Sequence, residues 1–374
     1  MNILQQILSE HFAKTLDFCK VIRPCVYENV SKAINCGKTN YAVFKCSCCG
    51  EIKHVPFRCK SRFCTTCGNL YNIKRATSMQ LKLLKCKHRH CVFTIPAELR
   101  IYFLRDRKLL DLLFQATSDT IFYMFNKMNK SQQFKPAFIS VLHTFGRDLK
   151  WNPHIHVVLA EGGCGKTELW RNINHFNYTA LRNSFRYCLL ELLHKNIGNS
   201  FYKMKCHIYK NSAPNGFFVY AKSSLLSSKN AIKYIGRYLG RPVIAMSRID
   251  YYDGENVSFH YNRHEDNSLV YETVSAVDFI KKLIIHIPDK YFHMIRYYGI
   301  YARKPMNLEH FLLRVSQNSH HIYKVFSTWR FQMQMAFNVD PLWCERCNCR
   351  LSFDSLVFNK KPLNEICLNS GASP

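Results

Sequence analysis

Residues 151–160 read W-N-P-H-I-H-V-V-L-A. His154 and His156 stand two apart in an apolar, β-branched run, and alternate side chains of a strand share one face, so both imidazoles point the same way. A second apolar run, 137–145, precedes it, and the intervening G-R-D-L-K-W-N-P carries the turn residues of an antiparallel connection. The simplest account is a hairpin, which sets His143 of the first strand beside the histidine pair.

Working outward, residues 88–96 (H-R-H-C-V-F-T-I-P) predict a buried strand stopped by Pro96, because proline cannot continue a ladder. An amphipathic helix is expected over 106–129, another over 172–193, and a strand over 216–221. G-G-C-G-K-T at 162–167 lacks the spaced first glycine of a phosphate loop and reads as an ordinary loop. Leu4, Ile7, Leu8, Phe12 and Leu16 mark an amino-terminal helix, and residues 69–85 a helix with a basic face. Residues 248–261 predict a hairpin with an Asp-Gly turn, and 276–285 a helix. These segments make an α+β chain, an antiparallel sheet covered by helices. Three consecutive domains are expected: a helix and cysteine-rich module over 1–80, a catalytic core over 81–245, and a carboxy-terminal helical, DNA-contacting region over 246–374.

With 374 residues and 47% hydrophobic content the chain can bury a sizeable core, which excludes a disordered protein. The formal net charge is +28, spread along the chain in runs such as L-K-L-L-K-C-K-H-R-H. Charge distributed in this way, with 14% aromatic residues, fits a surface that tracks a polyphosphate backbone, and nucleic acid is the expected partner. Neither a signal-like amino terminus nor an apolar run of about 18 residues occurs, so a cytoplasmic protein without a membrane partner is expected. In that reducing compartment 18 cysteines argue for metal rather than disulfides.

Cys46 and Cys49 form one C-x-x-C, and Cys59, Cys64 and Cys67 form C-x4-C-x-x-C. Paired thiolates at this spacing match tetrahedral zinc, with Cys46, Cys49, Cys64 and Cys67 as the first-choice set. Cys59, Cys36, Cys48 and His54 are spare ligands that could replace one or hold a second ion. Lys60, Arg62, Lys74 and Arg75 give this module a basic surface for DNA. Cys344 and Cys347 make another C-x-x-C, with Cys349 or Cys367 as nearby partners.

Downstream, K-Y-I-G-R-Y-L-G-R spaces Tyr234 and Tyr238 four apart, which on a helix places both phenols on one side. Lys233, Arg237 and Arg241 supply phosphate-binding cations around them. A phenol with a pKa near ~10 is a weak nucleophile at neutral pH and needs a polarised phosphate. Two histidines on one strand face, with His143 as third ligand, would hold a divalent ion that does this. His90 is a second candidate ligand, and His88 with His90 makes a competing H-x-H. Together the histidines and tyrosines suggest an enzyme that cuts and rejoins single-stranded DNA through a phosphotyrosine.

The chain resembles the two-tyrosine transposases of the insertion-sequence-91 type, which have a histidine-hydrophobic-histidine (HUH) endonuclease core. The resemblance rests on C-x-x-C-G at 46–50, C-K-S-R-F-C-T-T-C at 59–67, H-C-V-F-T-I-P, H-T-F-G-R-D-L-K-W-N-P-H-I-H and Y-I-G-R-Y-L-G-R-P-V-I-A-M-S-R-I. It implies an antiparallel HUH core with helices, plus a small amino-terminal module with structural zinc. It also implies magnesium or manganese on His154 and His156, nucleophiles at Tyr234 and Tyr238, and single-stranded and transposon-end DNA as partners in rolling-circle transposition. C-T-T-C stands where the family usually has C-P-x-C. Three rival readings remain: a replication initiator or relaxase with the same chemistry, a zinc-dependent DNA-binding relic, and a metallohydrolase built on His88, His90, His154 and His156.

Overall fold

The computed structural model describes residues 2–19, 21–80, 83–84, 86–128, 134–165, 170–173, 176–211, 217–221, 242–263, 265–302, 328–358 and 361–362. In chain order come α1 (Ile3–Asp17), α2 (Pro24–Ile34), β1 (Tyr41–Lys45), β2 (Ile52–Pro56), α3 (Thr65–Gln80), β3 (His88–Thr94), α4 (Ala97–Arg105) and α5 (Leu110–Met128). Next are β4 (Lys135–Phe145), β5 (Trp151–Cys164), β6 (Trp170–Asn172), α6 (Tyr178–Ile197), α7 (Tyr202–Asn211) and β7 (Phe218–Ala221). Then follow β8 (Ile249–Tyr252), β9 (Asn256–Asn262), β10 (Leu269–Ser275), α8 (Ala276–Ile284), β11 (Ile295–Gly299) and α9 (Trp329–Phe337). Four short strands come last, β12 (Trp343–Cys344), β13 (Cys349–Arg350), β14 (Ser352–Phe358) and β15 (Lys361–Pro362). The α+β class is as expected.

The elements group into two discontinuous units, one of residues 78–239 and 290–320, the other of 1–77, 240–289 and 321–374. The carboxy-terminal strand β14 pairs with β1, and β11 joins the sheet of the middle segment.

In the first unit one antiparallel sheet runs β11-β4-β5-β3-β7, with β6 paired to the far end of β5. The expected hairpin is β4–β5, in which His143 faces His154 and Val141 faces His156. On the other side of β5, Thr94 of β3 faces His154 and Val92 faces His156. One sheet face, carrying Phe93, Phe138, Leu142, Ile155 and Val157, is buried against Phe114, Phe125, Phe185 and Leu189 of the helices. The opposite face carries the histidines, continued by Ala137, Ile139, Val141, Val158 and Ala160. Burial on both faces explains why these strands read as nearly unbroken apolar runs.

Several elements depart from expectation. The strand of β5 continues through Gly162 and Gly163, which had read as loop, because β4 and β6 close on it from both sides. A Cβ at Gly163 would lie 2.4 Å from Lys135 O, and one at Gly162 would lie 2.5 Å from Arg171 O. Only glycine admits such an approach. The helix expected from residue 106 opens as a 3-10 turn, Arg107–Leu109, capped by the Asp106 side chain, before α5 begins. A second helix, α2, follows the expected amino-terminal one; Pro24 stands in its first turn, where its missing N–H costs nothing.

In the second unit, α1 starts with a reciprocal cap between Asn2 and Gln5. Ile7 and Leu8 of α1, and Phe279, Ile280 and Leu283 of α8, are buried, as is Phe259 of the β10-β9-β8 sheet. The β8–β9 turn is the expected Asp253-Gly254, with Gly254 at φ 103°. A second sheet, ordered β15-β14-β1-β2, carries the cysteine-bearing turn between β1 and β2, and a separate two-stranded sheet, β12-β13, carries the other.

Candidate functional site

Period-two alternation puts His154 and His156 on one face of β5, and pairing with β4 adds His143 from the next strand. The ligand nitrogens of the three lie within 4.8 Å of one another. His154 Nδ1 meets the Asn152 carbonyl at 2.7 Å, so as donor there it turns Nε2 toward the site. That Nε2 lies 3.0 Å from His156 Nε2, while His156 Nδ1 is held at 2.8 Å by His90 Nε2. Burial lowers the His154 pKa to about 4 and, joined by repulsion from the neighbouring imidazoles, holds His156 well below 6.5. Both rings are therefore neutral at pH 7, the state a metal ligand needs.

The donor set fits a divalent ion. Three neutral imidazoles converge, and two Nε2 atoms 3.0 Å apart share a position that one proton or one cation can occupy. His90 stands behind His156 as its hydrogen-bond partner, outside the three-histidine group, and burial lowers its pKa to about 4. His88 goes elsewhere: its Nε2 meets Tyr301 Oη at 2.7 Å and its Nδ1 meets Cys86 O at 3.0 Å. That placement removes the support for a metal site shared by His88, His90, His154 and His156.

Tyr234, Tyr238, Lys233, Arg237 and Arg241 lie outside the described residues. The strand just before them, β7, pairs with β3 so that Phe218 faces Thr94 and Tyr220 faces Val92. Both aromatics thus occupy the histidine face, and they are 51% and 58% exposed. Sequence reasoning missed them, although the alternation in F-F-V-Y-A carries the signal. It also missed Arg100 of α4, a half-buried cation whose charge acts on His154 and whose Nε has no hydrogen-bond partner among the described residues.

The cysteines separate into two foursomes, and the first-choice zinc set is corrected accordingly. Cys36, Cys59, Cys64 and Cys67 converge at the start of α3, whereas Cys46 and Cys49 converge with Cys344 and Cys347. A smaller group, Cys46, Cys48 and Cys349, shares Cys46. In the first foursome Cys67 Sγ is 3.5 Å from both Cys36 and Cys59. Tetrahedral zinc with bonds of about 2.3 Å sets its sulfurs roughly 3.8 Å apart, so this cluster fits zinc.

Of the basic residues expected around this module, Lys60, Lys74 and Arg75 are exposed. Arg62 is half-buried, its guanidinium 5.2 Å from the Tyr71 ring centre, and desolvation lowers its pKa. Arg75 packs on the same ring at 5.3 Å and donates to Tyr71 Oη at 3.0 Å.

Residues 137–307 match a family model described as "Putative transposase", and residues 4–95 match one described as "Transposase zinc-binding domain". The transposase for insertion sequence element IS801 of Pseudomonas savastanoi pv. phaseolicola is 28% identical, over 90% of this chain and 85% of its own length. A protein of Sinorhizobium fredii described as "Putative transposase y4qJ" is also 28% identical, over 69% of each chain. No solved structure matches at a significant level.

Proposed function

Because the chain belongs to the transposases of the insertion-sequence-91 type, we propose that it nicks and rejoins single-stranded DNA at insertion-sequence ends through a 5′-phosphotyrosine, in rolling-circle transposition. The observation that carries this reading is the convergence of His143, His154 and His156 on one face of an antiparallel sheet. Tyr234 and Tyr238 are the nucleophiles. A phenolic oxygen attacks the scissile phosphorus, the bond to the 3′-oxygen breaks, and that oxygen leaves with the proton the phenol gives up. The new phosphodiester keeps the bond energy, so a 3′-hydroxyl can reverse the attack and join strands without ATP. Two tyrosines allow a second cleavage while the first strand is held.

The three histidines are the residues that would hold magnesium or manganese, and a divalent ion there would draw charge from the scissile phosphate oxygens. His90 and the Asn152 carbonyl orient two of the rings. Lys233, Arg237 and Arg241 bind phosphates near the tyrosines, while Phe218 and Tyr220 offer flat surfaces on which unpaired bases stack. Lys60, Lys74 and Arg75 extend the contact to DNA held by the zinc module. The site of action is the cytoplasm, on the nucleoid.

The test uses end-labelled oligonucleotides from the flanks of the protein's own gene, with manganese or magnesium, resolved on a denaturing gel. A protein–DNA adduct that is absent from Tyr234→Phe/Tyr238→Phe and from His156→Ala supports the proposal. Binding without an adduct would indicate a DNA-binding relic, and cleavage that survives the double tyrosine variant would indicate a hydrolase.

A further inference from the structure

Two short hairpins of the second unit end in cysteine turns. Residues 46–51 (C-S-C-C-G-E) connect β1 to β2, and residues 345–348 connect β12 to β13. Each turn has the form C-x-x-C followed by a residue in the left-handed region, Gly50 at φ 74° and Asn348 at φ 51°. Left-handed backbone at this point folds the turn back so that both sulfurs face one side, and the Gly50 N–H closes it on the Cys46 carbonyl at 3.0 Å. Two such knuckles facing each other are how a zinc ribbon presents four thiolates.

The knuckles do face each other. The sulfurs of Cys46, Cys49, Cys344 and Cys347 form one group within 4.8 Å, and Cys49 Sγ lies 3.8 Å from Cys344 Sγ. That separation is the edge expected of a zinc tetrahedron, and it is too long for a disulfide, whose sulfurs stand about 2.05 Å apart. Backbone N–H groups of Cys48 and Cys49 are directed at Cys46 Sγ, and those of Arg346 and Cys347 at Cys344 Sγ. The Cys344 thiol also donates to Glu51 Oε2 at 3.4 Å, a proton that a metal would displace. Lys53 Nζ ties the two hairpins together, donating to Asp340 O at 2.9 Å and Trp343 O at 3.3 Å. Leu351 is buried with Cys46 and Cys344, which gives the sulfurs an apolar shell.

We infer that Cys46, Cys49, Cys344 and Cys347 bind a second structural zinc ion, which joins the two ends of the chain in one metal-closed unit. The matched zinc-binding family region ends at residue 95, so half of this ligand set lies some 250 residues beyond it. Pairing of β1 with β14 and ligation by both ends support the same arrangement, because each brings the hairpins into register for the other. The smaller group of Cys46, Cys48 and Cys349 offers three sulfurs and no C-x-x-C knuckle, and it shares Cys46, so the complete foursome is the stronger site. The inference is independent of the nicking chemistry.

The experiment measures zinc per chain by elemental analysis on the purified full-length protein, before and after substitution. Cys344→Ser/Cys347→Ser should lose one zinc relative to wild type, and Cys48→Ser/Cys349→Ser should lose none. Cobalt in place of zinc should give the intense visible spectrum of tetrahedral thiolate coordination at two sites in wild type and at one in Cys344→Ser/Cys347→Ser. Cys347→His, which keeps a zinc donor, should retain the full zinc content and show that any loss is one of ligation rather than folding. Unchanged zinc in Cys344→Ser/Cys347→Ser, or an equal loss in Cys48→Ser/Cys349→Ser, would overturn the assignment.

Discussion

His90 Nε2 lies 2.8 Å from His156 Nδ1, with the two rings stacked at 14° and their centres 5.1 Å apart. The contact crosses from β3 to β5 and determines which nitrogen of His156 faces His143 and His154. A ligand imidazole held in this way keeps one tautomer and one orientation, and losing the partner typically costs 10- to 100-fold in metal affinity, as an order of magnitude.

His90→Ala should therefore weaken manganese binding by about 10- to 100-fold, without removing a ligand. Calorimetric titration of the full-length protein checks it. Affinity equal to wild type would make His90 a bystander.

His88 provides a pH dependence. Burial lowers its pKa to about 4, against 6.5 for an ordinary imidazole. Between those values the unfolded chain takes up a proton that the folded state refuses, so this contribution is intact above about pH 6.5 and is lost as pH falls toward 4. The loss is of order 3 kcal/mol. His88→Gln should flatten the decline of the urea midpoint between pH 6.5 and 4, and identical slopes in the two proteins would contradict this.

Phe218 and Tyr220 share the sheet face of the histidines and are exposed. If bases stack on them, Phe218→Ala and Tyr220→Ala should each cost about 1–3 kcal/mol in binding single-stranded DNA, with little change in the unfolding midpoint. Fluorescence anisotropy with labelled oligonucleotides reads the effect, and wild-type affinity in both variants would remove the platform.

Gly163→Ala probes the crowded end of β5. The added methyl would lie 2.4 Å from Lys135 O and 2.6 Å from the Phe134 ring, so β4 must move. Overpacking of this kind costs about 1–3 kcal/mol, read as a lower unfolding midpoint. An unchanged midpoint would show that the strand ends are less tightly held.

What was legible in the sequence followed from local rules. The histidine strand, the Asp253-Gly254 turn and helix α8 each declare themselves within about ten residues, through period two, turn chemistry or a continuous apolar stripe. The partition of cysteines did not. Every C-x-x-C looks alike at short range, and Cys46 meets Cys344 rather than Cys64 because β14 pairs with β1 from the far end of the chain. Gly162 and Gly163 read as loop for a different reason: glycines carry no side-chain period to mark a strand, although the neighbouring strands β4 and β6 both pair with them. Helix α4 escaped notice because it is short and directly follows Pro96. Tyr234 and Tyr238 rest on spacing and resemblance, as they lie outside the described residues.

The most direct test of the phosphotyrosine account is mass spectrometry of the covalent protein–DNA adduct, trimmed with nuclease and digested to peptides. The account predicts a nucleotide attached through its 5′-phosphate to Tyr234 or Tyr238. A nucleotide on any other residue, or cleaved DNA with no peptide attached, would contradict it.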